Sequence, residues 1–332
     1  LNVPMKNRYG TRIIIRTGSP FMLGDLRRVS AHTAKSIIIL ASSSNANESD
    51  ANTVRTVLTL KALYEQRDCC YVIAEVRDID NECLVRTVSD KSVEIIVSHD
   101  VIGRLMLTLV RQRGLSKIYD ALLGFEGDEF YKSYWPELNG KEFGDLQQCF
   151  PEAVPIGVYR TSVAELTLNP SSSYVMEPGD ELVVIAADND TYSPKPPVDV
   201  VIEDILVPHE PKTKRQKILV CGWRRDIREV LKELDRMSKR GAQVHIVTHT
   251  VPLKERTQRL LEDGLDPKDL QNIVLFQHFG NTSCRRQVAT LPMEDFTACM
   301  IFADHAFEHD AMYADSHSLA TLLTVRDLQT DI

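Results

Sequence analysis

Short runs of apolar, β-branched residues alternate with stretches of helical spacing along most of this chain, and the alternation happens twice. Thr11–Thr17 (TRIIIRT), Ser36–Ser42 (SIIILAS), Cys69–Val76 (CCYVIAEV) and Val93–Val97 (VEIIV) read as strands. Phe21–Val29, Asp50–Tyr64 and Asn81–Val88 read as helices between them, and helices Val101–Arg111 and Leu115–Leu123 follow. From Lys217 the pattern restarts, with strands Lys217–Cys221, Ala242–Val247, Ile273–Phe276 and Ala298–Ala303. Helices Ile227–Lys239, Lys254–Glu262, Cys284–Thr290 and Ser316–Leu328 alternate with them. Buried strands separated by helices predict parallel sheets covered on both faces. The expected fold class is α/β, with two Rossmann-like units.

The segment between the two regions differs. It holds Gly140–Leu146, strand-like Pro155–Tyr159 and Glu181–Ala186, and the turns Asn169-Pro170 and Glu177-Pro178-Gly179-Asp180. That pattern predicts a small α+β lobe. Residues 188–213 are rich in proline and acids and read as a linker. The expected division is 1–125 for the first α/β unit with its crossover helices, 126–190 for the small lobe, 191–215 for the linker and 216–332 for the second unit. The helices Val101–Arg111 and Leu115–Leu123 suit either a core or a contact with a neighbouring subunit.

The two α/β units share more than a pattern. Ile37–Ser42 matches Cys299–Asp304, and Asp50…Thr56-Val57-Leu58-Thr59 matches Asp315…Thr321-Leu322-Leu323-Thr324. The Asp-to-Thr spacing is the same in both, which reads as duplication. Each copy holds parts that the other lacks, so the chain looks like a window on a longer protein.

Composition narrows the function classes. Of 332 residues, 43% are hydrophobic and 26% charged, an ordinary globular balance. The net charge of −8 argues against nucleic acid as a partner. No apolar run approaches the ~18 residues of a membrane span. The seven cysteines are scattered with no C-x-x-C, the usage of buried thiols in a reducing compartment. No G-x-S-x-G or H-E-x-x-H is present, and His99 at a strand end reads as structural, so enzyme chemistry is not signalled.

A dinucleotide site needs G-x-G-x-x-G between strand and helix. Here the second unit has Gly222-Trp223-Arg224-Arg225-Asp226, with one glycine and three bulky residues. NAD is therefore not expected, and a nicotinamide-dependent oxidoreductase is the rival reading. Carboxylates gather instead at the carboxyl ends of strands. Glu75, Asp78, Asp80 and Glu82 form one group, and Asn45, Glu48 and Asp50 a weaker one. Asp304, Glu308, Asp310 and Asp315 stand in the corresponding place of the second unit. Such a rim suits a hard cation such as Ca²⁺, which takes about six to eight oxygens. The competing reading makes Asp50 and Asp80 helix N-caps and the rest solvated acids.

Several longer stretches point to a family. They are Arg16–Pro20, Asp78–Glu82, Ser98–Met106 (SHDVIGRLM), Trp135–Leu138, Cys221–Asp226 (CGWRRD) and Asp315–Leu323. With them the chain resembles tandem RCK domains, and more closely the gating-ring region of CASTOR/POLLUX-type ion channels. The resemblance covers nearly the whole chain. It implies two RCK units with a C-lobe between them, in a ring of identical subunits below the membrane pore of a tetrameric channel. It further implies a membrane protein in the full-length parent, with this region soluble on the cytosolic or nucleoplasmic side of the nuclear envelope. Ca²⁺-responsive gating in that family makes Glu75, Asp78, Asp80 and Glu82 the preferred ligand rim. A third reading is a nucleotide-sensing regulatory subunit of a separate transporter.

Overall fold

The computed structural model describes residues 12–43, 45–64, 70–90, 92–112, 114–124, 127–197 and 215–330. The first lobe carries α1 (Leu23–Arg28), β1 (Ser36–Ile39), α2 (Ala46–Tyr64), β2 (Tyr71–Val76), α3 (Glu82–Val88), β3 (Val93–Val97) and α4 (Ser98–Arg111). Its three strands lie in the order β1-β2-β3, all parallel. Ala74, Val76, Val85, Val57 and Leu60 form its buried core. The expected strand over Thr11–Thr17 is not formed at residues 12–17, where Ile13, Ile14 and Ile15 stand exposed. β-branched composition favours a strand only where a neighbouring edge completes the ladder, and β1 pairs on one side with β2.

Next come α5 (Leu115–Leu123), β4 (Glu129–Tyr134), α6 (Phe143–Leu146), β5 (Ala153–Arg160), β6 (Glu165–Leu168) and β7 (Asp180–Ala186). The four strands form an antiparallel sheet ordered β4-β7-β5-β6. On one face Leu182, Val184 and Val158 pack with Leu138, Leu146 and Phe150. β4 and β6 escape a sequence reading because E-F-Y-K-S-Y and E-L-T-L carry too little apolar signal. Of the expected linker, residues 198–214 lie outside the described ones.

The second lobe has β8 (Lys217–Cys221), α7 (Ile227–Met237), β9 (Ala242–Thr248), α8 (Leu253–Glu262), β10 (Ile273–Phe279), α9 (Arg285–Val288), β11 (Ala298–Ile301) and α10 (Ala311–Thr330). Its sheet is parallel, in the order β10-β9-β8-β11. β8 and β9 are buried almost throughout, which explains why they read as continuous apolar runs. The observed class is the expected one, two parallel α/β lobes and a small antiparallel lobe. The duplication is visible in the fold: Asp50 is the fifth residue of α2, and Asp315 the fifth of α10.

By its contacts the chain divides into residues 1–110 with 213–332, and residues 111–212. The two α/β lobes thus belong to one unit. α4 joins them: Leu107 is buried in the second lobe's core beside Val220, Trp223, Ile227 and Leu231.

Arg256 on α8 is fully buried. Its guanidinium donates to the carbonyls of Val251 (2.9 Å), His278 (3.1 Å) and Thr248 (2.7 Å), and lies 5.9 Å from the Trp223 ring. Burial holds its pKa down at about 10, against the pull of Asp304. Replacing it strands three carbonyls, each worth about 1–3 kcal/mol when buried without a donor. Arg256→Met is therefore expected to lower stability by roughly 3 kcal/mol or more in urea unfolding. Exposed Arg259→Met should change it by no more than about 0.5 kcal/mol.

Candidate functional site

The turn after β8 is built around Gly222. Its φ is +102°, and a Cβ there would lie 2.5 Å from the Phe302 carbonyl oxygen, so only glycine fits. The next amide, Trp223 N–H, donates to Asp304 Oδ2 at 3.1 Å. Asp304 also accepts from Thr248 Oγ1 (2.8 Å), Thr250 Oγ1 (2.7 Å) and the Ala306 amide (3.2 Å). A dinucleotide fold aims this turn's amides at a pyrophosphate. In this chain a buried carboxylate sits at one of those amides, with the Trp223 side chain packed behind it.

The following arginines reach the first lobe. Arg224 pairs with Asp226 through two bonds of 2.7 Å and donates to the His99 carbonyl at 2.9 Å. Gly103 of α4 meets this pair: a Cβ there would stand 3.4 Å from Asp226 Oδ2. Arg225 reaches Asp78 Oδ2 of the first lobe (3.2 Å) and Glu308 Oε2 of the second (3.4 Å). Burial alone would raise the Glu308 pKa, but His305, Arg225 and His99 outweigh it and hold it low. Arg228 contacts Asp80 Oδ1 at 3.3 Å, Glu229 and the Asp263 carbonyl. Its acidic partners keep its pKa high despite burial. Asp78, Asp80, His99, Arg225, Asp226 and Arg228 line a cleft of ≈ 160 Å³ between the α/β lobes. The cleft lies at strand carboxyl ends, where open α/β sheets bind ligands.

The expected acidic residues fall in separate places. Asp78 and Asp80 line the cleft. Asp78 caps the 3-10 turn Ile79–Asn81 by accepting from the Asp80 amide at 3.1 Å, so the cap is Asp78 and not Asp80. Glu75 accepts from the Ala41 amide (2.9 Å), and Glu82 pairs with Arg86 (2.6 Å) on its own helix. Asn45 caps α2 by accepting from the Glu48 amide (3.3 Å), and Glu48 accepts from Ser43 Oγ (3.2 Å). Because α2 starts at Ala46, Asp50 is no N-cap. It is buried inside the helix and accepts from the amides of Arg77 (2.8 Å) and Asp78 (3.0 Å) and from Asn81 Nδ2 (2.8 Å). Among the described residues no three His, Cys, Asp or Glu side chains are gathered as a metal site. The four acids are not gathered into one Ca²⁺ cage: Glu75 faces the Ala41 amide, Glu82 pairs with Arg86, and Asp78 and Asp80 face Arg225 and Arg228. Sequence reasoning named Arg225 within Cys221–Asp226 and Asp304 among the strand-end acids, but not Arg77 or Arg228, which line the cleft. No motif marks those two arginines.

Residues 99–202 match the family model described as Castor and Pollux, part of voltage-gated ion channel. Residues 4–97 match the calcium-activated potassium channel slowpoke-like RCK domain. Over 96% of its length the chain is 43% identical to the probable ion channel CASTOR of Oryza sativa subsp. japonica, covering 36% of that protein. It is 44% identical to the ion channel POLLUX of Lotus japonicus over 97% of its length and 35% of that protein's. The chain belongs to the CASTOR/POLLUX family. It spans about a third of the length of these curated relatives, which are named as ion channels and not as enzymes. Among solved structures, the GsuK RCK domain is 14% identical with a TM-score of 0.38, covering 95% of this chain and 66% of that one. Among the described residues no helix is long and apolar enough to cross a membrane.

Two outcomes test the geometry. Asp304→Ala leaves the Trp223 and Ala306 amides without this acceptor and the Thr248 and Thr250 hydroxyls with only each other, so stability should fall by about 2–4 kcal/mol in urea unfolding; an unchanged midpoint contradicts the role given to the carboxylate. The second concerns pH. Burial lowers the pKa values of His245, His278 and His317 below the ordinary 6.5. Below pH ~6.5 the unfolded chain then binds more protons than the folded one. Stability is complete above that pH and declines as pH falls toward the folded values. The urea midpoint should drop between pH 7.5 and 5.5, and less so in the double variant His245→Gln, His278→Gln.

Proposed function

We propose that this chain is a regulatory region of an ion channel, in which the state of the interlobe cleft sets the opening of a pore carried elsewhere in the full-length protein. The single observation behind this reading is the set of bonds crossing the cleft. Asp78–Arg225–Glu308, Asp80–Arg228 and the Arg224–His99 contact hold one α/β lobe against the other. Ion pairs of this kind, partly exposed, at 3.2 to 3.4 Å and built on long side chains, are individually weak. They are therefore easily exchanged for contacts with a ligand. A ligand shifts such an equilibrium only by as much as it prefers one arrangement.

Ca²⁺ is the ligand of this reading. It acts by competing with Arg225 and Arg228 for Asp78 and Asp80, since the carboxylates are occupied in the arrangement described. Identical subunits assemble as a tetrameric ring on the cytosolic or nucleoplasmic side of a membrane, with the nuclear envelope as its site. The proposal is tested in recordings from the full-length protein. Arg225→Glu should shift the half-activating Ca²⁺ concentration by about 5-fold or more, the usual scale of coupling between sites. Adding Asp78→Arg should bring it back toward the parent value. Unchanged Ca²⁺ dependence in Arg225→Glu overturns the latch. Titration calorimetry of this chain with Ca²⁺, beside Asp78→Ala and Asp80→Ala, tests the ligand: absence of heat in the parent, or equal heat in all three, removes Ca²⁺ from the cleft.

A further inference from the structure

The same cleft holds more donor capacity than its acids consume. Five acids along it are matched: Asp78 by Arg225, Asp80 and Glu229 by Arg228, Asp100 by Arg104, and Asp226 by Arg224. Arg77, immediately after β2, is different. Its backbone amide goes to Asp50, but its guanidinium has no hydrogen-bond or ion-pair partner among the described residues, and its Nε is buried. Arg225 Nε, from the opposite lobe, is likewise buried without an acceptor. Both arginines line the cavity, and His99 lines it beside them. Buried guanidinium N–H groups are rarely left without an acceptor, and both arginines, one from each lobe, line this cavity, with the rest of the Arg77 guanidinium unengaged among the described residues.

We propose that this cleft binds a tetrahedral oxyanion, a phosphate group, between Arg77 of the first lobe and Arg225 of the second. The planar fork of arginine matches phosphate oxygens, and charge-assisted bonds of this kind are about twice as strong as neutral ones. The space suffices: ≈ 160 Å³ is available, where about 10–15 Å³ admits one water. Six carboxylates line the cavity; five are paired with arginines and Asp263 is the sixth. Asp263 lines the cavity and gives its carbonyl, not its carboxylate, to Arg228. A bound phosphate draws Arg225 away from its long contacts of 3.2 and 3.4 Å with Asp78 and Glu308. It replaces a direct interlobe pair by a bridged one. This site is separate from the closed turn at Gly222, where Asp304 holds the amide.

The experiment is titration calorimetry of this chain with inorganic phosphate at constant ionic strength, in buffer free of Ca²⁺ and phosphate, followed by adenosine 5′-monophosphate. Binding is expected, and Arg77→Met should weaken it by about ten-fold or more, the worth of a hydrogen bond to a charged group. Arg77→Met should keep the parent's urea midpoint, since its guanidinium holds nothing in the fold, and Arg225→Met gives a second variant on the other lobe. Exposed Arg236→Met, away from the cavity, should leave binding unchanged, while Asp263→Asn should tighten it about 2-fold to 5-fold by removing a facing negative charge. Tighter binding of the monophosphate assigns the group to a phosphate ester, and equal binding assigns it to free phosphate. Absence of phosphate binding, or equal binding in Arg77→Met, overturns the site. The measurement needs neither pore nor Ca²⁺, so its failure leaves the channel reading standing, and failure of that reading leaves this site standing.

Discussion

Burial of one face of α4 in the neighbouring lobe is the constraint on which the site depends. Leu107 belongs to the second lobe's core although α4 follows the last strand of the first lobe. Apolar burial has no direction, so it fixes proximity but not register. Register comes from polar groups at the helix start. The Arg224–Asp226 pair lies beside Gly103, and the His99 carbonyl accepts from Arg224. With α4 seated, Arg225 and Arg228 are brought opposite the loop after β2, and a cleft exists.

The second lobe has the strand order of a nucleotide-binding half-fold but a different electrostatic centre. Where such a fold aims bare amides outward, Asp304 turns the charge inward. Its carboxylate gathers an amide from the β8 turn, two hydroxyls from the end of β9 and an amide from the loop after β11. Three loops are tied by one anion. The positive charge that remains is carried by side chains further along the turn, on arginines facing the other lobe.

Much of the fold was legible because burial writes itself into composition. β8, with I-L-V-C buried in succession, could be little else. The Asp-to-Thr repeat announced a helix after a strand in both units, although its aspartates, read as loop or cap residues, lie at the fifth position inside each helix. Elements whose signal depends on a partner were less legible. Arg12–Thr17 looks like a strand but pairs with none of the described strands, and β4 forms because β7 offers a ladder. The site was legible only in part. The acids after β2 were visible, yet their charge is answered by arginines about 150 residues later, a pairing that spacing along the chain does not encode. Asp50 shows the same gap: Asn45 starts the helix, which turns an apparent cap into a buried receptor for the next loop.

Arg256 has a consequence for motion. Its one guanidinium serves the last residue of β9, the loop beyond it and a residue near the end of β10. None of these can fray alone without leaving a buried donor idle, and Thr248 is tied to Asp304 as well. The strand ends beneath the turn should open as one cooperative unit or not at all. Fluctuations in this lobe are then displaced outward to the single, long contacts of Arg225 and Arg228 with the other lobe.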